Sequence, residues 1–456
     1  MPEGELAIVL HTHMPYVEGF GTWPFGEEWL WEAVATSYLP LLEVLDRPGG
    51  ERLTLSLTPV LCDQLEAPGA IERSIAFLRE LRPAALALDI EDRDAALDPA
   101  VIAELERAAG GYKRAADTLE RIHGAPGGLL GALASYASWT SAATHPILPM
   151  LCLDETVQLQ LRTGIESHRR RFGGWSGGLW SPECAYAPWL AGQFQAAGVS
   201  CTCVELTGLF GRGEARNLRP LRTVEGPILI PIDRATIDLV WGAGGYPAGP
   251  AYRARHRLTR HGHPAWSGDG RPYDPDRAGA AAVRDAAAFV ASVERRLAAG
   301  GLCVFAIDTE LFGHWWHEGP RWLAAVVAEA DRRGLALTRL DDAALERHPP
   351  ARAPAELPVS SWGEGGDLRT WSGPAAADLA TRARSAELRT FSRENPPGPR
   401  ALRELMALQS SDWAFLEHNR WAGDYPRERA AGHAAALERA LAGELEPRLR
   451  NLAPYL

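Results

Sequence analysis

An apolar run, Leu302-Cys-Val-Phe-Ala-Ile, ends in Asp308 and continues as Thr-Glu310-Leu-Phe-Gly-His314-Trp315-Trp316. A run this short and apolar reads as a strand buried on both faces. In a barrel of parallel strands, polar residues at the C-terminal strand end point into the mouth. Carboxylates beside indoles suit a sugar: flat apolar faces for the ring, acids for a glycosidic oxygen. The competing reading is structural, a helix cap at Asp308 or Thr309 with tryptophans in the core. A second enclosed acid, Glu183, lies in Leu-Trp180-Ser-Pro182-Glu183-Cys-Ala-Tyr186, with rings on both sides and a stiffening proline. If both acids end barrel strands, folding can bring them together. A retaining glycosidase needs two carboxyls about 5–5.5 Å apart, one nucleophile and one proton donor. The donor must be kept protonated by burial or by its partner's charge.

His11 and His13 follow another apolar run, Leu6 to Leu10. The two-residue period of a strand puts both on one face. Such a pair can bind a metal, with His145 and Asp308 as further ligands, as in a metal-dependent deacetylase or amidohydrolase. It can equally hydrogen-bond a sugar and hold a nucleophile, or sit satisfied in a core. Two further clusters are Trp362-Gly-Glu364-Gly-Gly-Asp367-Leu-Arg-Thr-Trp371, a glycine-rich loop presenting indoles and acids, and Ser410-Ser-Asp412-Trp413. The latter, taken alone, reads as a helix cap with a core tryptophan.

The elements that must position these residues alternate. Strands are expected at Glu5–Leu10, Leu53–Leu57, before Trp180, at Leu302–Asp308 and at Ala336–Arg339. Helices are expected at about 27–45, 154–171, 275–299 and 321–334. Residues 68–124 read as a helical excursion broken near Pro83 and Gly110-Gly111, and 205–275 as a loop-rich insertion. Residues 127–141 read as an apolar helix or strand. Residues 372–449 read as helices. The pattern is that of a parallel α/β barrel over 1–348 followed by a helical domain over 349–456.

Composition narrows the function. Of 456 residues, 46% are hydrophobic and 23% charged, globular values that exclude disorder. A net charge of -11 argues against nucleic-acid or anionic-membrane partners. The N-terminus has neither the signal-peptide pattern nor a membrane span, so a cytoplasmic protein is expected. The six cysteines form no Cys-x-x-Cys pair, and Cys201-Thr-Cys203 reads as two reduced strand residues in a reducing compartment. Lys113 is the only lysine, and no phosphate-binding Gly-x-x-x-x-Gly-Lys loop occurs, which disfavours nucleotide and Schiff-base chemistry. The 16 tryptophans outnumber 11 phenylalanines and 10 tyrosines, as expected where indoles serve as platforms for sugar rings.

Leu10-His-Thr-His-Met-Pro-Tyr16, Ala143-Thr-His145, Trp180-Ser-Pro-Glu183-Cys-Ala-Tyr186 and Ala306-Ile-Asp308-Thr-Glu-Leu-Phe-Gly-His-Trp-Trp316 together resemble glycoside hydrolase family 57, in particular its 1,4-α-glucan branching enzymes. Val240-Trp241, Gly245-Tyr-Pro247, Trp362 to Trp371 and Ser410 to Trp413 extend the likeness, which spans position 6 to about 435. The resemblance implies an incomplete (β/α)7 barrel with a helical C-terminal domain completing the cleft. It implies a double displacement on α-1,4-glucan, donor and acceptor alike, with Glu183 as nucleophile and Asp308 as general acid/base. His11, His13 and His145 would line the reacting subsite with Trp180 and Asp412. Trp29, Trp241, Trp362, Trp371 and Trp413 would be sugar platforms. No metal or cofactor is implied, and oligomeric state is left open. The sequence departs from the family in one respect. Members resembling it carry a mobile loop with a tyrosine at its tip, associated with branching over hydrolysis, but no tyrosine occurs between Tyr186 and Tyr246. Residues 208–216 could form a different lid.

Overall fold

The computed structural model describes residues 4–22, 25–92, 97–444 and 451–456. Parts of two expected helical stretches, 93–96 and 445–449, lie outside the described residues. Ten strands form one sheet: β1 (Glu5–Thr12), β2 (Thr54–Leu57), β3 (Ala137–Ser141), β4 (Gly178–Trp180), β5 (Cys201–Val204), β6 (Leu221–Arg222), β7 (Ile228–Pro231), β8 (Leu302–Asp308), β9 (Ala336–Leu337) and β10 (Ala351–Arg352). Their order is β10-β6-β7-β5-β4-β3-β2-β1-β8, with β9 also on β1. Seven of these, β1 to β5, β7 and β8, run parallel and make the incomplete barrel. One main-chain bond, Asp233 N–H to the Val304 carbonyl at 2.8 Å, crosses the gap between β7 and β8.

The apolar runs are why these strands are central. Leu6 to Leu10 and Cys303 to Ala306 are fully buried, because helices cover the sheet outside while opposed strands fill the inside. The helix Pro275–Arg296 lays its alanine-rich face on the helix Gly319–Arg333, with Phe289, Phe305 and Trp322 packed edge to face between helix and sheet. At Gly178 the chain passes the Trp139 indole so closely that a Cβ would lie 2.2 Å from its Nε1, so only glycine fits there.

Three expectations need correction. The helix Pro99–His123 runs unbroken through Gly110-Gly111. Two glycines cost about 2 kcal/mol of helix propensity, and the buried stripe of Leu105, Ala116, Leu119 and Ile122 offsets it. Nor is the chain broken at Pro83: it stays helical from Ala70 to Glu91, passing through a π turn at Phe77–Leu81 just before the proline. The stretch 205–275 is not simply an insertion, because Ile228–Pro231 is the barrel strand β7. Four residues that follow one proline and end in another carry too little periodicity to be seen in sequence.

The helices Ala377–Phe391, Pro399–Leu408, Ser411–Asn419 and Tyr425–Leu441 share a small core around Leu405, Trp413 and Leu437. They sit on the barrel mouth. Ser410 bridges to Pro146, Ser360 pairs with Tyr186 on both main-chain bonds, and Thr144 Oγ1 donates to the Met406 carbonyl at 2.6 Å.

Candidate active site

Strand register assembles the centre. On parallel strands all C-terminal ends face one way, and the pairing sets His11 beside both Asp308 and Ser56. Ser141 pairs with Trp180, so the turns carrying His145 and Glu183 leave the sheet at the same rim. Three non-glycine residues here hold left-handed backbone: His145 (φ 59°), Glu183 (φ 61°) and Cys184 (φ 50°). Each costs on the order of 1–3 kcal/mol, held in place by the surrounding packing, as reactive sites often show.

Glu183 is held from two sides. The Trp362 indole N–H donates to its Oε2 at 2.6 Å and the Ser411 hydroxyl to its Oε1 at 3.3 Å. Its main-chain carbonyl accepts from Trp362 N–H at 3.0 Å. Burial pushes the carboxyl up to about 7, while the Trp362 bond and the nearby His13 pull the other way. Asp308 is the single exposed residue of β8, open to the cleft yet ringed by protein. Its carboxylate makes no hydrogen bond among the described residues. Its affinity for a proton rises well above the usual carboxylate range, first through desolvation, then through the charges of Glu183, Glu310 and Asp412. Of two neighbouring acids, the one with the higher pKa holds the proton. The raised proton affinity of Asp308 suits a donor, and the indole and hydroxyl that bond Glu183 favour its charged form.

The histidines form a stack behind this pair. His11 lies on Trp180 (ring centroids 4.7 Å apart), and His13 on His145 (4.0 Å). His11 Nε2 meets His145 Nε2 at 2.9 Å, and His145 Nδ1 meets the Ser411 hydroxyl at 2.9 Å. Burial lowers both His11 and His145 well below the ordinary histidine value, so both are neutral. His13 behaves oppositely. Burial disfavours its charge, but Asp412, at 3.0 Å from Nε2, with Glu310 and Glu183, outweighs it and raises the pKa. Glu310 accepts the His13 main-chain N–H at 3.1 Å, and burial pushes its carboxyl up to about 7. Among the described residues no group of three or more His, Cys, Asp or Glu is arranged to hold a metal ion.

The tryptophans divide. Trp362 is half-buried beside Glu183, and Trp241 is 53% exposed. Trp29 is half-buried, packed against Phe25 and Tyr425. Trp371 and Trp413 are 1% exposed and Trp180 is fully buried, so none of these three can stack on a sugar. Trp371 packs under the glycine-rich loop at Gly363, and Trp413 donates to the Ala407 carbonyl inside the helical core. Trp180 instead backs His11. Sequence reading missed Arg234 and Glu205. Arg234 pairs with the buried Glu205 at 2.8 Å and donates to the Trp362 carbonyl at 3.0 Å, fixing the loop that grips Glu183. It also missed Ser411 as a direct partner of Glu183, although the Ser-Ser-Asp-Trp cluster marked its segment.

A rolled parallel sheet with two carboxyls, Glu183 and Asp308, at its mouth fits a carbohydrate-active barrel enzyme. Residues 139–355 match the model for glycosyl hydrolase family 57, and residues 378–448 match that for the 1,4-alpha-glucan branching enzyme C-terminal region. A probable 1,4-alpha-glucan branching enzyme of Mycobacterium tuberculosis is 33% identical over 99% of this chain and 94% of that protein. The crystal structure of a family 57 branching enzyme from Pyrococcus horikoshii superposes with a TM-score of 0.85 at 32% identity, covering 96% of this chain and 89% of that one. A second, from Thermococcus kodakaraensis in complex with glucose and additives, gives 0.85 at 29%, covering 97% and 92%. The chain belongs to glycosyl hydrolase family 57 and is of its branching-enzyme type.

Proposed function

We propose that this protein is a 1,4-α-glucan branching enzyme working by retaining double displacement. The supporting observation is the Glu183 carboxyl, bonded by Trp362 and Ser411, near an Asp308 whose proton affinity is raised. Glu183 attacks the anomeric carbon of an α-1,4-linked glucosyl unit while Asp308 gives its proton to the departing O4. Asp308, now a base, takes the proton from the O6 hydroxyl of an acceptor glucan as that oxygen displaces Glu183. The net result exchanges an α-1,4 for an α-1,6 linkage. The buried His11 and His145, bonded to each other and to Ser411, hold the floor of the site behind Glu183, and Trp241 and Trp29 line the route of the chain. Family relatives named as branching enzymes support this reading. The six free cysteines agree with work on a storage glucan in a reducing compartment, the cytoplasm.

One observation favours a share of hydrolysis. After β5 the chain turns through the short helix Thr207–Phe210 and a 3₁₀ turn at Ala215–Leu218 into β6, and no tyrosine occurs between Tyr186 and Tyr246. A site less shielded from water lets water compete with O6 for the glycosyl-enzyme. Proton NMR of amylose products counts α-1,6 linkages against new reducing ends, and both are expected. Branches without reducing ends would remove the hydrolysis argument, and reducing ends without branches would remove branching itself.

A further inference from the structure

Trp315 and Trp421 take no part in the catalytic centre. Trp315 is 37% exposed and Trp421 48%, although they come from distant parts of the chain. Their ring centroids lie 5.5 Å apart and the planes meet at 43°, an open angle between two indoles. Burying a tryptophan is favourable, so two kept exposed side by side call for a reason. Both are held in place. The Arg255 guanidinium lies 4.9 Å over the Trp315 ring, and His314 meets that ring edge-on at 5.5 Å. Phe415 stands perpendicular to Trp421 at 5.4 Å.

The two supports connect the pair to the catalytic centre. Trp315 N–H donates to the Glu310 carbonyl at 3.1 Å, two residues beyond Asp308. Trp421 follows the helix Ser411–Asn419, whose first residues contact Glu183 and His13. That helix ends because Arg420 turns left-handed (φ 55°), and the turn throws Trp421 outward. Nine residues at 1.5 Å rise make that helix about 13 Å long, so Trp421 follows the end remote from the residues that contact Glu183 and His13. A group so placed does not touch the reacting glucosyl unit but lies within reach of a chain extending from it.

We infer that Trp315 and Trp421 form a distal subsite for an α-1,4-glucan chain, a site that rests on the activity proposed above. The curvature of an α-1,4-linked chain presents the apolar faces of successive rings at an angle, which two splayed indoles match better than one flat surface. The ligand is neutral and polyhydroxylated, so the site needs no countercharge, and Arg255 serves to fix Trp315. Such a site makes affinity depend on chain length.

The test measures maltoheptaose and maltose binding by calorimetry in a Glu183→Gln background, where the ligand is not consumed. Trp421→Ala and Trp315→Ala should each weaken maltoheptaose about tenfold, the size of one aromatic stacking contact, and so narrow its advantage over maltose. Trp421→Phe should stay within about twofold of the parent, and so should Trp189→Ala, an exposed tryptophan elsewhere (47%). Folding is checked by thermal unfolding. Ala variants that bind maltoheptaose within about twofold of the parent overturn the subsite. A parent that binds no maltoheptaose at all overturns the glucan activity on which it rests.

Discussion

The indole N–H of Trp362 donates to Glu183 Oε2 at 2.6 Å, while the Trp362 carbonyl accepts from Arg234, itself paired with Glu205. One residue thus ties the carboxylate of the barrel's fourth strand to an ion pair behind the fifth. The bond stabilises Glu183 in its charged form. Trp362→Phe keeps the ring and deletes the donor. It should cut kcat about tenfold or more, the worth of a hydrogen bond to a charged group, and move the acidic limb of the rate profile to higher pH. A fall in rate with an unmoved limb would mean that the indole only packs.

The paired acids should separate by leaving group. Glu183→Gln should lower transfer and hydrolysis by on the order of 10³-fold or more while glucan still binds. Asp308→Asn should do the same on amylose but spare a maltoside with a good phenolate leaving group in its first step, because that step needs no proton. Equal losses on both substrates would remove Asp308 as the acid.

The pH dependence follows from the same pair. Glu183 must be ionised, and its carboxyl sits at about 7, so kcat/KM should fall as pH drops through that value. Asp308 must be protonated, and its raised affinity keeps it so until well above the usual carboxylate range, which sets the alkaline limb. The two limbs belong to the coupled pair. Glu310→Gln removes a negative charge that helps raise Asp308, so the alkaline limb should shift to lower pH. An unchanged limb would show that Glu310 does not act on Asp308.

Tryptophans that look alike in sequence should behave differently. Trp371→Ala empties a core position and should cost about 3–5 kcal/mol of stability, read as a lower unfolding midpoint. Trp241→Ala, at a 53% exposed position, should change stability by less than about 0.5 kcal/mol but raise KM for long glucans. An unchanged KM would take Trp241 out of the glucan path.

Much of this was legible before folding. The runs before His11 and Asp308 announced buried parallel strands, because an uninterrupted apolar stretch has no other stable home in a soluble chain. Enclosed acids at strand ends marked Glu183 and Asp308. Short elements were not legible: β7 has four residues, the last a proline and preceded by another, and Pro99–His123 is held helical by packing that overrides its glycines.

What the sequence determined by itself is therefore the inventory: which strands are buried, which acids stand at their ends, and which motifs resemble family 57. Tertiary structure alone decided what surrounds each group. Burial and three neighbouring carboxylates raise the proton affinity of Asp308, while an indole 179 residues away and a hydroxyl 228 residues away bond Glu183 and favour its charged form. Burial likewise sent Trp180, Trp371 and Trp413 to the core and left Trp241, Trp315 and Trp421 to solvent. Charge state and exposure depend on what long-range folding brings within a few ångströms, and no local pattern of residues records that distance.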